Sequence, residues 1–436
     1  MSSPREGAPR PRFFYGWVIV GLSFTTLAFH LTARFSFSIF QVPLIAEFGW
    51  SRGALGGAYA LMLGVYALSC PFLGALLDKR GPRAVIPWGS VLIGLGLTMS
   101  FFVTSLWHVY LFTGLLIGLG NAMSGFATHS ALMPRWFQRR RGLATGIVVA
   151  GSGIGALVFS PTIERLIALV GWRSTYLIFG LVLLVGLTAA SFLLLRNRPE
   201  DVGQARDGLP PREPPREAPP DSTAPAPGAA PAPGVWEVFQ TVKKDKRFWA
   251  ILFIVFTIGL NNNTILSQLQ LYLVDAKFST AAAALLLGAT GFVRMLGSAF
   301  AGWLSDHIGR QRAQALAAFI SAFGVVFLLL IPVMGASLAS GLLFAVVYGF
   351  GMGGMGACHS AMTADCFGGK SFGAVIGISE IGFGMGGILG PPLAGFIFDA
   401  TGSYILPFSL VVLMLLAALF TALLTNFSGG RPGAQA

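Results

Sequence analysis

Three ionisable side chains stand where an apolar chain should hold none. Arg34, Arg294 and Glu380 each interrupt a long hydrophobic run, well away from its ends. If such runs cross a bilayer, an ionised group at mid-depth costs several kcal/mol even on lenient scales, so each needs a partner or a task. A guanidinium stays protonated and grips a carboxylate with two parallel hydrogen bonds. A glutamate in a dry site takes up a proton when an opposite charge leaves it. These types therefore suggest anion binding at Arg294 and proton exchange at Glu380. Two readings stay open: Arg294 anchors an anionic substrate, or it forms a buried ion pair with Glu380, each about eight residues from the end of its run. Such a pair need not add stability, yet a substrate taking Arg294 from Glu380 would leave the acid to protonate.

His30 lies one turn before Arg34 and shares its helix face. It titrates near neutrality, whereas Arg34 does not release protons at ordinary pH. His30 is thus the proton candidate of that pair, or else a histidine hydrogen-bonded between helices. Arg34 either serves coupling or extends toward the outer interface along its apolar stem. Neutral polar residues in other runs can complete a cavity: Asn121, the triplet Asn261, Asn262 and Asn263 with Gln268, and Tyr348 with His359 three turns further along one helix. For each of these, helix-to-helix hydrogen bonding competes with ligand contact.

The elements that position these residues are hydrophobic spans. The 436 residues are 54% hydrophobic and only 11% charged, against about 25% charged in soluble domains, and mean hydropathy is +0.73. Twelve apolar runs of roughly 20 residues or more match a ~30 Å hydrocarbon core. Six fall within 14–195 and six within 248–426. Most Lys and Arg, including Arg139, Arg140 and Arg141, collect on one side of these spans, and only Arg52, Arg165, Arg173 and Lys277 fall in loops on the other. The positive-inside bias places both termini (1–13 and 427–436) and the segment 196–247 in the cytoplasm. The formal charge of +12 is therefore read as topology, not as a nucleic-acid surface. The segment 196–247 is rich in Pro, Ala and charge, so it is expected to be extended or disordered, with an amphipathic surface helix toward its end. Three cysteines imply no disulfide framework. No phosphate-binding loop, metal-spaced cluster or nucleophile–base set is visible, so neither a cofactor nor enzymatic activity is expected.

The chain also repeats itself. Gly74, Asp78, Gly81 and Arg83 follow the second span, and Gly302, Asp306, Gly309 and Arg310 follow the eighth, with the glycines and aspartates at the same offset. These are expected to latch helix ends, with each Asp accepting from a helix N-terminus or a nearby Arg. Duplication of a bundle with a basic turn in each copy is the mark of paired transporter halves.

Six plus six spans with this doubled turn resemble the major facilitator superfamily. The opening Phe14-Tyr15-Gly16-Trp17, the stretch Arg135-Trp136-Phe137-Gln138-Arg139-Arg140-Arg141-Gly142-Leu143-Ala144, and Gly390-Pro-Pro-Leu-Ala-Gly395 look like the monocarboxylate transporter family and its bacterial relatives, oxalate:formate exchangers included. The resemblance implies an all-α membrane protein of twelve transmembrane helices in two halves, resident in the plasma membrane and working as a monomer. It implies a path lined by spans 1, 4, 7 and 10, and transport of a small organic anion such as lactate or pyruvate with a proton. Relatives carry a functional Arg one turn after Arg294, at the position of Ser298 here, and a Lys at the position of Phe35. Proton-coupled symport of a monocarboxylate is thus the leading expectation. Exchange of a dicarboxylate is the alternative, and a ligand sensor that does not transport is a remote one.

Overall fold

The computed structural model describes residues 13–208, 235–367 and 372–427. The tail 1–12, the segments 209–234 and 368–371, and the tail 428–436 lie outside the described residues. So do the surroundings of Gly74 and Asp78 in the first basic turn.

Apolar sequence with little charge forms helices here because lipid leaves every backbone polar group to be satisfied within its own segment. The described residues are helical throughout the apolar runs. Helix α1 (Gly16–Phe48) loosens at Ser36, and α2 (Arg52–Arg80) begins at a Ser51 cap. Helix α3 is Pro82–Phe102. Helix α4 (106–136) is interrupted where Gly125 is fully extended, after a π-helical stretch at Tyr110–Ile117. The next apolar run, Leu143–Leu194, has 52 residues. At about 1.5 Å per residue it is more than twice the span of a membrane. It reverses at Gly171, whose φ of 80° breaks the helix, so it makes two passes, α5 (141–170) and α6 (172–194). A short helix α7 (Val235–Val242) precedes α8 (Lys246–Asp275), α9 (Thr280–Ile308), α10 (Arg310–Met334), α11 (Leu338–Phe367), α12 (Phe372–Thr401) and α13 (Ile405–Leu424). Among the described residues, eleven runs long and apolar enough to span, one of them double, give twelve passes.

The two sets of six meet along two seams that rely on small residues, as helix contacts in lipid do. In one seam α2 lies on α12, with Gly56 so close to the Pro391 carbonyl that a Cβ would stand 2.8 Å from it. In the other α5 lies on α9, where Gly291 faces Ala156 and Gly153 faces Met295. Helix α8 is the most enclosed of the spans and touches both α9 and α1, so it carries side chains to the middle of the molecule.

One expectation about the long loop needs correction. Residues 196–208 are not extended coil but pack on the first half. The Tyr15 N–H donates to Gln204 Oε1 (2.9 Å), and the Gln138 and Arg139 N–H groups donate to the Asp207 carboxylate (3.0 and 2.8 Å). These carboxylate and amide acceptors give the backbone partners that composition alone does not reveal.

Candidate functional site

Three consecutive asparagines on α8 organise the centre. Successive helical residues point about 100° apart, so Asn261, Asn262 and Asn263 reach three different helices. Asn261 Oδ1 accepts from the Tyr348 hydroxyl on α11 at 3.1 Å. Asn262 Oδ1 accepts from Arg294 Nη1 on α9 at 2.7 Å. Asn263 Oδ1 accepts from Arg34 Nη2 on α1 at 2.7 Å, across the boundary between the halves. Tyr59 of α2 joins this last group, its hydroxyl 3.4 Å from both Arg34 Nε and Asn263 Oδ1.

The two arginines share a ring. Phe35 lies 5.4 Å from the Arg34 guanidinium carbon and 5.5 Å from that of Arg294. Arg34 is 8% exposed, so it does not extend to the outer interface. The reason is the length of α1: it continues past Pro43 to Phe48, which puts Arg34 near mid-helix. Arg294 is likewise central in α9. Among the described residues neither forms an ion pair with a carboxylate; amide oxygens and an aromatic face are their partners. Amides satisfy hydrogen bonds but leave the charge uncompensated, and a desolvated unpaired charge costs several kcal/mol. Two such charges around one ring make a place that an anion stabilises.

Glu380 is not the partner of Arg294. It stands 3.7 Å from His359 Nε2, with its side chain half exposed. The offset follows from helix bounds. Helix α9 runs beyond Gly302 to Ile308, so Arg294 is about 21 Å from that end, whereas Glu380 is about 12 Å into α12. Tyr66 and Cys70 of α2 lie within electrostatic reach of Glu380, and the Tyr66 ring is 6.0 Å from the Arg34 guanidinium carbon. Tyr66 thus stands between the arginine pair and the acid.

The remaining expected residues separate into other environments. His30 is fully buried, its ring nitrogens 2.7 Å from Ser124 Oγ and 3.2 Å from Ser90 Oγ. Asn121 donates to Ile117 O of its own helix at 3.0 Å. In the second basic turn Asp306 pairs with Arg310 at 2.6 Å, and Arg310 also reaches Asp365 at 3.3 Å, joining α9, α10 and α11. Gly302 faces open space, and Gly309 takes a φ of 88° that favours glycine. In the first turn Gly81 has φ 79°, and the Arg83 N–H donates to Asn197 Oδ1 at 2.9 Å.

One feature escaped the sequence reading. Arg52, at the start of α2, lies bidentate on Asp275 of α8 (2.6 and 3.0 Å), donates to the Tyr404 hydroxyl (2.8 Å) and covers the Phe398 ring at 3.8 Å. Asp399 accepts from the Arg52 and Gly53 N–H groups at 3.0 and 2.8 Å. With Gln41 to Ser267 O (3.3 Å) and Gln270 N–H to Ser38 Oγ (3.3 Å), these bonds close one end of the path. Among the described residues, the hydrogen bonds between the halves all lie from the arginine pair toward this Arg52 end. A single arginine at a helix start carries no pattern in sequence, whereas the Asn triplet and the arginines inside apolar runs do.

Comparison with known proteins agrees with this architecture. The Major Facilitator Superfamily pattern matches residues 22–358. The chain is 28% identical to monocarboxylate transporter 13 of Rattus norvegicus, over 92% of this chain and 87% of that one. It is 27% identical to monocarboxylate transporter 2 of Homo sapiens, over 91% and 82%. It is 25% identical to monocarboxylate transporter 4 of Mus musculus, over 97% and 85%. A solved bacterial homolog of the human lysosomal transporter Spinster, described as inward-facing and unoccupied, superposes with a TM-score of 0.68 at 14% identity over 96% of each chain. That likeness is one of fold.

Proposed function

This chain belongs to the Major Facilitator Superfamily, and from that premise we propose that it carries small carboxylates across the plasma membrane by alternating access, Arg294 and Arg34 binding the anion. The observation that carries the reading is the pair of guanidiniums beside Phe35, neither of which has a carboxylate partner among the described residues. Each holds one amide oxygen at 2.7 Å, and a guanidinium has five N–H donors, so donors remain for a substrate carboxylate. The similarity to monocarboxylate transporters supports a monocarboxylate such as lactate or pyruvate. Both termini and the Asp306–Arg310 end face the cytoplasm in this reading, and the conformation is closed on the outer, Arg52 side.

Proton coupling resides in Glu380 with His359. Tyr66 lies within reach of both Arg34 and Glu380, so the charge of a bound anion acts on the acid across one side chain. A carboxylate entering near an acid favours its protonated form, which couples anion and proton movement. His30 is held between two serine hydroxyls in the first half and serves to join helices.

A second reading is favoured by the count of charges: two uncompensated guanidiniums suit a dicarboxylate, moved by exchange. Uptake of labelled lactate, pyruvate and oxalate into proteoliposomes, with and without an imposed pH gradient, tests both. Gradient-driven accumulation of a monocarboxylate supports symport. Oxalate uptake only against internal anion supports exchange, and uptake of none refutes the carboxylate assignment. Glu380→Gln should remove the response to the gradient while sparing anion exchange; an unchanged response sinks its role.

A further inference from the structure

Away from the path, the short helix α7 roofs an apolar groove of about 410 Å³ between α8 and α12. Its walls are Phe239, Trp249, Leu252, Phe256, Ile381 and Met385. Helix α7 is held there by Val238 and Val242, buried against Phe248, Val375 and Ile378. The groove stays open on one side: Trp249 is 50%, Met385 53% and Ile381 55% exposed. At its mouth the chain reads Lys243-Lys244-Asp245-Lys246-Arg247. Asp245 is taken by Arg247 at 2.6 Å. The three lysines are exposed, and among the described residues none forms an ion pair. The Trp249 indole N–H donates to Lys243 O at 2.8 Å, which ties the aromatic rim to the basic run.

We propose that this groove is a binding site for an anionic glycerophospholipid, one acyl chain lying between α8 and α12 and the phosphate headgroup on Lys243, Lys244 and Lys246. The occupant follows from two properties found together. Apolar walls at the end of a spanning helix exclude water and accept an acyl chain, and uncompensated lysines beside a membrane attract anionic headgroups. A Trp at that level sits at the boundary between headgroup and hydrocarbon. Ile378 and Ile381 flank Glu380 on α12, so the lipid braces the helix segment that carries the acid. The site is independent of the substrate assignment.

The test uses the full chain purified in detergent, with thermal unfolding followed as phosphatidylglycerol or phosphatidylcholine is added. Phosphatidylglycerol should raise the melting temperature and phosphatidylcholine should not. In Lys243→Gln/Lys244→Gln/Lys246→Gln, phosphatidylglycerol should bind on the order of 100-fold more weakly, from about a fivefold loss per lysine removed. The lipid-free melting temperature should stay unchanged, since these side chains form no ion pair among the described residues. Ile381→Trp, or Met385→Trp should the first fail to fold, fills the groove and should lose the response while keeping the lysines. Equal stabilisation by both lipids, or a full phosphatidylglycerol response in the triple variant or in the filled groove, overturns the proposal.

Discussion

Replacing Arg294 with Gln separates binding from folding. The guanidinium gives one 2.7 Å bond to Asn262 Oδ1 and has no carboxylate partner among the described residues. A bond from a charged donor contributes about 1.5–3 kcal/mol, and a Gln amide can make a neutral version of it. Against that loss, the variant removes a desolvated charge whose burial costs several kcal/mol, and it ends the repulsion with Arg34. The two effects nearly cancel, so Arg294→Gln should melt no lower than the parent. Substrate affinity should behave differently, because truncating one partner of a buried charged pair costs about 2–5 kcal/mol. That is roughly a 30-fold to several-thousand-fold rise in KM. Arg294→Lys keeps the charge and loses the planar fork, so it should fall between the two. The assay is concentration-dependent uptake of labelled carboxylate into proteoliposomes, beside thermal unfolding of the same preparations. A KM within threefold of the parent refutes the anchor. So does a drop of about 10 °C in melting temperature, which would mean the arginine is a structural strut.

Three further perturbations address the machinery around the site. Arg52→Ala removes the bidentate contact to Asp275 and the stacking on Phe398, worth about 2 kcal/mol together. The population open at that end should rise roughly 30-fold, read as faster thiol labelling of Ser38→Cys in a background without Cys70, Cys358 and Cys366; an unchanged rate counts against a latch. Asp245 caps α8, accepting from the Arg247 N–H at 2.8 Å, and the Arg247 side chain holds its carboxyl below the ordinary range. Its stabilising effect is therefore present above the unfolded carboxylate pKa and lost as pH falls through the lower folded value. Asp245→Ala should cost about 1 kcal/mol at neutral pH, and its melting curve should converge with the parent's in acid. Gly353→Ala would set a Cβ on the Arg294 carbonyl and 2.7 Å from the Ser298 nitrogen. Overpacking of this kind costs about 1–3 kcal/mol, so stability and substrate affinity should fall together, unlike the Arg294→Gln result; normal uptake in this variant would show that α9 tolerates displacement.

Sequence periodicity and composition were enough to find the spans, because a bilayer permits few spanning structures and helices declare themselves by length and apolarity. The membrane cost of charge also made Arg34, Arg294 and Glu380 visible as a short list. Depth was harder to read. Counted from the repeat glycine Gly302, Arg294 lies eight residues from the end of its run, but α9 continues six residues past that glycine, and α1 likewise continues past Pro43 to Phe48. Those few residues, about 9 Å, moved Glu380 away from Arg294 and onto His359. The order of residues 196–208 has a related cause: acceptors on Gln204 and Asp207 meet backbone donors elsewhere in the chain.

What the sequence by itself determined is the helical, duplicated bundle and the scarcity of buried charge, since both follow from local chemistry against a lipid solvent. The tertiary structure decided which charges meet. The three asparagines of α8 look alike in sequence, and only the 100° step of the helix among its neighbours sends one to Tyr348, one to Arg294 and one across the halves to Arg34. The Arg294 guanidinium beside Phe35 and Arg52 on Asp275 are likewise contacts between residues far apart in the chain. No spacing encodes them, because the packing of helices, and not the order of residues, sets their distance.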